Sequence, residues 1–261
     1  MSVRLPLEAT ANLKKAREAA LLAVDNYNRT GVGFRSANYI ILMVIAWTAL
    51  FHAIFAKRKI KPFYRRRNSR RFERIDGDYR TWELAECLRQ YFKDANPPQR
   101  KNLELFITLR NKIEHRFLPE LDTEIFGECQ AMLLNFEALL CEVFGDKQAL
   151  LANLAFALQF SKTTTTNQHK ATREVGMRHV QSVRRYVEKF RSSLGDDVAS
   201  DQAYSYKVFL IPKVGSHAKS SDTAVEFVKY DPLKPDEMKQ YDRVVALIKP
   251  KEVSVAKTLG V

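Results

Sequence analysis

Residues 37–56 read ANYIILMVIAWTALFHAIFA, an apolar run close in length and composition to a membrane span. A basic cluster follows it and would serve as a positive-inside flank. Two features argue for a buried helix instead. Asn38, Thr48 and His52 interrupt the run, and the next most apolar stretch, LLANLAFALQF at 150–160, is too short to partner it in a bilayer. A helix apolar on nearly all sides is also what the centre of a helical bundle requires. The expectation is a core helix from Ser36, as N-cap, to about Lys57, with no membrane partner.

The flanking sequence supplies the rest of a bundle. Residues 7–28 carry apolar side chains at helical spacing, through Leu13, Ala16, Ala20, Leu21, Val24 and Tyr27. A turn at Asp76-Gly77-Asp78 precedes a helix expected from Thr81, as cap, to Asp94, with Leu84, Cys87, Leu88 and Tyr91 inward. Asn96-Pro97-Pro98 ends that helix, and the next runs from about Gln99 to Arg116 before Pro119. Its buried side is expected to be Leu103, Phe106, Ile107, Leu109 and Ile113. Further helices are expected over 122–144, closed by Gly145, and over 147–160.

Composition shifts at Ser161–Asn167, a polar run that reads as a linker. Beyond it lie a basic helix over 174–193 and three β-rich runs, KVFLIPKV, AVEFVKY and RVVALIKP. Pro212 inside the first suggests an edge strand. The fold class is therefore mainly α, an antiparallel helical bundle followed by a small α/β C-terminal unit. The division is 1–160 for the bundle, 161–172 for the linker and 173–261 for the remainder.

Charge is the first functional pointer. With 43 Lys and Arg against 30 Asp and Glu, the net charge is +13, which favours an anionic partner. The surplus is concentrated at Lys57, Arg58, Lys59, Lys61, Arg65, Arg66, Arg67, Arg70, Arg71 and Arg74, opposed by Glu73 alone. Phe63, Tyr64 and Phe72 are interleaved, the pattern of a surface that pairs phosphate contacts with base stacking. The plain alternative is a solubilising basic loop. Cys87, Cys129 and Cys141 fit no metal or redox spacing and lie in apolar helical contexts, which suits the cytoplasm. The first twenty residues have no apolar core and no small-residue cleavage site, so a secretory signal is not expected.

The chemistry-bearing motif is NLELFITLRNKIEHRF. Asn111 and His115 form an i, i+4 pair on one helix face, and the long Arg110 side chain can converge on the same phosphate. Cleavage of RNA without a metal needs a proton carrier of near-neutral pKa and a fixed cation for the phosphate charge. Histidine suits the first task and arginine the second. No Asp/Glu/His set has metal-ligand spacing, and no cofactor is expected. The spacing alone is weak: Arg173 precedes His179 in much the same way. The plain alternatives are an Arg110–Glu114 ion pair and a helix-terminal His115 touching a carbonyl.

The segment LRNKIEHRF resembles the signature of the HEPN superfamily, in which an Arg is followed by a polar residue, often Asn, and then by a His four to six residues after the Arg. Ala46-Trp47 with Leu50, then Thr81-Trp82-Glu83-Leu84, then NLELFITLRN resemble an uncharacterised-domain family within it. Where that family often has Glu after Ala-Trp and Lys a few residues on, this chain has Thr48 and His52. The resemblance implies a homodimer whose two motifs build one cleft. It also implies a toxin or antiviral-defence setting, with an inhibitory or regulatory partner to restrain it.

The leading expectation is a metal-independent endoribonuclease. His115 would be its general acid/base, Arg110 its phosphate clamp and Asn111 a positioning group, with the basic stretch holding RNA. The competing readings are a non-catalytic RNA-binding module on the same scaffold and a membrane-associated protein anchored by 37–56.

Overall fold

The apolar run is helix α2, Arg35–Lys57, and it is the centre of the core. It is seen in a computed structural model that describes residues 5–29, 35–113, 125–150, 177–206, 208–214 and 223–229. Tyr39, Ile40, Met43, Trp47, Leu50, Phe51 and Ile54 of α2 are all buried. The helix passes a length-and-hydropathy test for a membrane span, yet 72% of the tested window is covered by the protein itself. Ser36 is not the cap: it lies inside the helix and is buried, because the helix starts a residue earlier.

Helix α1, Leu7–Asn28, lies antiparallel to α2. Tyr27 meets Tyr39 edge-on at 5.4 Å near the connection, while Asn12 and Lys15 of α1 share a cleft with Thr48 and His52 of α2. The buried residues of α1 are Ala9, Leu13, Ala16, Ala20, Ala23, Val24 and Tyr27. Their steps of mostly four and three residues make a seam, and its small alanines let the two helices approach closely.

The chain leaves α2 through a left-handed residue, Lys59, with φ 59. The Ile60 and Lys59 amides donate to the Phe55 and Ala56 carbonyls, closing the helix end as a Schellman motif without glycine. The basic stretch then forms a small twisted ribbon. Strand β1, Arg74–Ile75, pairs antiparallel with β2, Asp78–Tyr79. Asp76 and Gly77 between them both have positive φ, 51 and 92, as a type I′ hairpin turn requires. Bridges Phe63↔Thr81 and Arg65↔Phe72 extend the ribbon.

Helix α3 is Leu84–Phe92, shorter than the expected 81–94, because Thr81 is drawn into the bridge with Phe63. The two prolines open the next helix as well as ending this one: α4 is Pro98–Ile113. A proline at a first helical position loses no hydrogen bond. The Arg100 guanidinium reaches back to the Lys93 and Ala95 carbonyls. Leu103, Leu105, Phe106, Leu109 and Ile113 of α4 face the core, while Ile107 is only half-buried and lines a cleft. Helix α5, Phe126–Phe144, is closed by Gly145 at φ 88, as the sequence suggests. A short 3-10 turn, Asp146–Gln148, follows; of the helix expected over 147–160, residues 149 and 150 are not helical and 151–160 lie outside the described residues.

Helix α6, Met177–Ser192, and the one-turn α7, Asp196–Ala199, complete the helical body. Val183, Val187 and Tyr204 join its core. Two compact units result, Met1–Tyr206 and Lys207–Val261. The first unit extends past the linker expected over 161–172 and takes in the basic helix, whose Val183 and Val187 belong to the helical core. The 161–172 segment itself lies outside the described residues. In the second unit β3, Val208–Val214, pairs antiparallel with β4, Thr223–Lys229, with Pro212 opposite Val225. The run RVVALIKP lies outside the described residues. The architecture is mainly helical with a small β-containing C-terminal unit.

One polar cluster is built into the helical core. The Asn102 amide donates to the Glu128 and Tyr204 carbonyls at 2.9 and 2.7 Å. The nearly inaccessible Glu128 carboxylate pairs with Arg191 at 2.7 Å. This cluster ties α4, α5, α6 and the 203–206 segment together. No spacing rule in the sequence foreshadows it.

Candidate nucleic-acid interface and cleft

Arg110 and Asn111 occupy the last turn of α4, Arg110 half-exposed and Asn111 exposed. Both line an open cleft of about 450 Å³. Its other walls bring in Asn12 and Lys15 from α1, Thr48 and His52 from α2, and Thr81, Trp82 and Glu83 from the approach to α3. Val44, Ile45 and Ile107 supply apolar surface. His115 and Glu114 lie outside the described residues, as do His169 and His217. The motif is therefore placed through Arg110 and Asn111.

Thr48 and His52 share one face of α2, since four residues turn the helix through about 400°. Asn38, Ile45, Thr48 and His52 belong to the accessible strip of an otherwise buried helix. Two of the three polar interruptions, Thr48 and His52, thus mark the wall of a cleft. In the sequence Asn38, Thr48 and His52 argue against a membrane span, and spacing alone does not mark His52 as a site residue.

His52 Nε2 lies 2.9 Å from the Trp82 carbonyl oxygen. A carbonyl only accepts, so the proton sits on Nε2 and the neutral ring keeps its lone pair on Nδ1. Burial lowers the His52 pKa below its usual 6.5; the Lys15 charge adds to that, and the Trp82 hydrogen bond and Glu8 oppose it. The cleft therefore holds a neutral imidazole beside two cations, Lys15 and Arg110.

The ten basic residues of the 57–74 stretch do not form one equivalent surface. Lys57 is committed elsewhere: its ammonium reaches the Val143 carbonyl at the end of α5 and lies 5.3 Å from the Phe144 ring centre. Arg58 stands over Tyr91 at 5.2 Å, Lys61 over Phe72 at 6.0 Å and Arg74 over Tyr79 at 4.5 Å. Arg65, Arg66, Arg67, Arg70 and Arg71 are exposed, and none forms an ion pair among the described residues. All ten are exposed, and these five arginines, like Lys59, make neither an ion pair nor a ring contact among the described residues.

The interleaved aromatics pack against one another and against Arg80. Phe63 stacks on Tyr79 at 5.0 Å, and Phe72 meets both edge-on at 5.4 and 5.7 Å. They form the ribbon's own miniature core, which a two-residue-strand hairpin needs in order to hold its shape. Tyr64 is covered by Arg80 at 4.6 Å, and Arg80 also pairs with Glu73. Phe63, Tyr64 and Phe72 are each half-buried and also border a groove beside the ribbon.

A second, larger groove of about 720 Å³ runs beside the ribbon, lined by Lys59, Lys61, Arg65, Arg89 and Trp82 among others. Arg89 is neutralised by Glu86 at 2.7 Å, so Lys59, Lys61 and Arg65 carry its net charge. Cys87, Cys129 and Cys141 are free thiols; burial pushes the Cys87 thiol up to about 12, which makes it inert. Among the described residues no group of three or more His, Cys, Asp or Glu side chains comes together to hold a metal ion.

The fold and cleft define a basic helical-bundle protein with a polar, cationic cleft at the end of its fourth helix. Residues 11–194 match the family described as Domain of unknown function (DUF3644), and the chain belongs to that family. No curated protein and no solved structure shows significant similarity to it.

Proposed function

We propose that the protein is a metal-independent endoribonuclease of the HEPN type, acting on RNA in the cytoplasm in a toxin or antiviral-defence role. The observation that carries the reading is the convergence of Arg110 and Asn111 with Lys15 and His52 in one open cleft. Arg110 would fork the scissile phosphate and hold the charge that builds on it. Asn111 would position the phosphate or His115, and His115 would move the proton to or from the reacting oxygens. Attack by the 2′-hydroxyl on phosphorus would expel the 5′-oxygen and leave a 2′,3′-cyclic phosphate. The HEPN resemblance adds a homodimer in which two motifs face each other, and a partner that restrains the activity.

The test is incubation of wild-type and His115→Ala protein with total cellular RNA in EDTA, with product ends mapped. Discrete cuts ending in 2′,3′-cyclic phosphate, lost in the variant, are expected. A second reading, a non-catalytic RNA-binding module, is favoured by the exposed Arg65, Arg66, Arg67, Arg70 and Arg71 of the ribbon, none of which lines the Arg110 cleft. Intact RNA together with a retained gel shift would select it.

A further inference from the structure

The Arg110 cleft and the basic groove beside the ribbon have one residue in common, Trp82, which lines both. We propose that Trp82 is the stacking platform for an unpaired base. A single RNA strand would run over it from the Lys59, Lys61 and Arg65 groove into the Arg110 cleft. This rests on the RNA reading above and specifies its substrate as single-stranded.

Trp82 is built for such a role. Its carbonyl is held by His52 at 2.9 Å and its amide by the Pro62 carbonyl at 2.8 Å. Its ring packs edge-on against Phe55 at 5.4 Å with an interplanar angle of 87°. Backbone and ring are thus fixed while the side chain stays half-buried, open on both clefts. Phe63, Tyr64 and Phe72 line the basic groove too, but among the described residues Trp82 is the aromatic that lines both it and the Arg110 cleft. Cations on one side, an aromatic at the junction and Arg110 beyond it make the order in which a strand alternates phosphate and base. A duplex hides its base faces and would leave Trp82 unused. An anionic membrane surface would meet the ribbon's cations but has nothing to stack.

The chain contains two tryptophans, and the other, Trp47, is buried against Phe136. A change in intrinsic fluorescence on binding therefore reports on Trp82. The probe is a short 2′-O-methyl oligouridine, which lacks the attacking hydroxyl and cannot be cut. Binding is expected to quench the wild-type emission. Trp82→Phe should bind within about twofold of wild type, whereas Trp82→Leu should bind roughly tenfold more weakly, with both variants folded at the assay temperature by circular dichroism, because one stacked base is worth about that factor. Lys61→Ala/Arg65→Ala should weaken binding and flatten its salt dependence. Oligouridine binding without quenching, or with Trp82→Leu at full affinity, overturns the strand path and leaves the RNA reading standing. Equal quenching by duplex RNA also overturns it. Binding of phosphatidylserine vesicles but no oligonucleotide removes both readings.

Discussion

The imidazole of His52 donates its Nε2 proton to the carbonyl of Trp82 across 2.9 Å, joining α2 to the loop that enters α3. This bond fixes the tautomer of a cleft histidine and the position of the residue between two clefts. Its protonation chemistry gives the first prediction. Folding lowers the His52 pKa below 6.5, chiefly by burial, so the unfolded chain binds the proton more readily. Stability then rises with pH through that region and falls as pH drops below about 6.5. His52→Gln, which keeps a donor for the Trp82 carbonyl, should flatten this part of the stability profile, as read by melting temperature at stepped pH. An unchanged slope would mean that His52 is not the responsible group.

Within the proposed reaction, Arg110→Lys retains the charge but loses the fork that holds two phosphate oxygens. Cleavage by this variant should drop by about 10²-fold or more, the range seen when one charge-stabilising donor is lost. The melting temperature should hold, because Arg110 is not part of the buried core. Single-turnover cleavage of a defined RNA measures it, and an undiminished rate would remove Arg110 from the chemistry.

The Arg191–Glu128 pair closes on a carboxylate that is 2% exposed. Arg191→Ala would strand that charge, and loss of one partner of a buried pair costs about 3–5 kcal/mol. The lower end is expected, since the Arg191 side chain is 36% exposed and its side of the pair is screened. Arg191→Ala/Glu128→Gln should recover part of the loss in urea denaturation. Additive losses in the double variant would argue against direct coupling.

Arg66, Arg67, Arg70 and Arg71 are exposed and line neither cleft. Replacing them together by serine should weaken RNA binding uniformly across sequences. The slope of log affinity against log salt should fall by roughly 0.7 for each phosphate of a single strand that is no longer neutralised. Lys57→Ser should leave that slope unchanged, because Lys57 is engaged at the end of α5. A salt titration by fluorescence polarisation separates the two, and equal effects would mean that position within the basic run does not matter.

Much of the bundle is legible from local rules. The seam of α1, the apolar α2, the Asp76-Gly77 turn and the Gly145 cap each depend on residues a few positions apart, and each lies close to where the sequence puts it. The misplacements have nonlocal causes. Thr81 has the chemistry of a cap, but its pairing with Phe63 takes it into the ribbon. The basic helix is placed beyond a polar linker by composition, and it is packing that brings Val183 and Val187 into the core. Of the site, Arg110 and Asn111 are legible because they are adjacent. His52, Lys15 and Trp82 are not, because each comes from a different element.

Side-chain periodicity and composition act within a turn or two of backbone. They suffice to say which segments are helical, which one must be buried, and where positive charge is dense. What that charge and those polar interruptions are for is a matter of packing. Setting α1 and α4 against α2 puts Lys15, His52 and Arg110 around one space, and pairing Phe63 with Tyr79 and Phe72 shapes the ribbon beside its groove. Convergence of groups dozens of residues apart depends on long-range burial, which fixes where helices meet, and no local pattern encodes it.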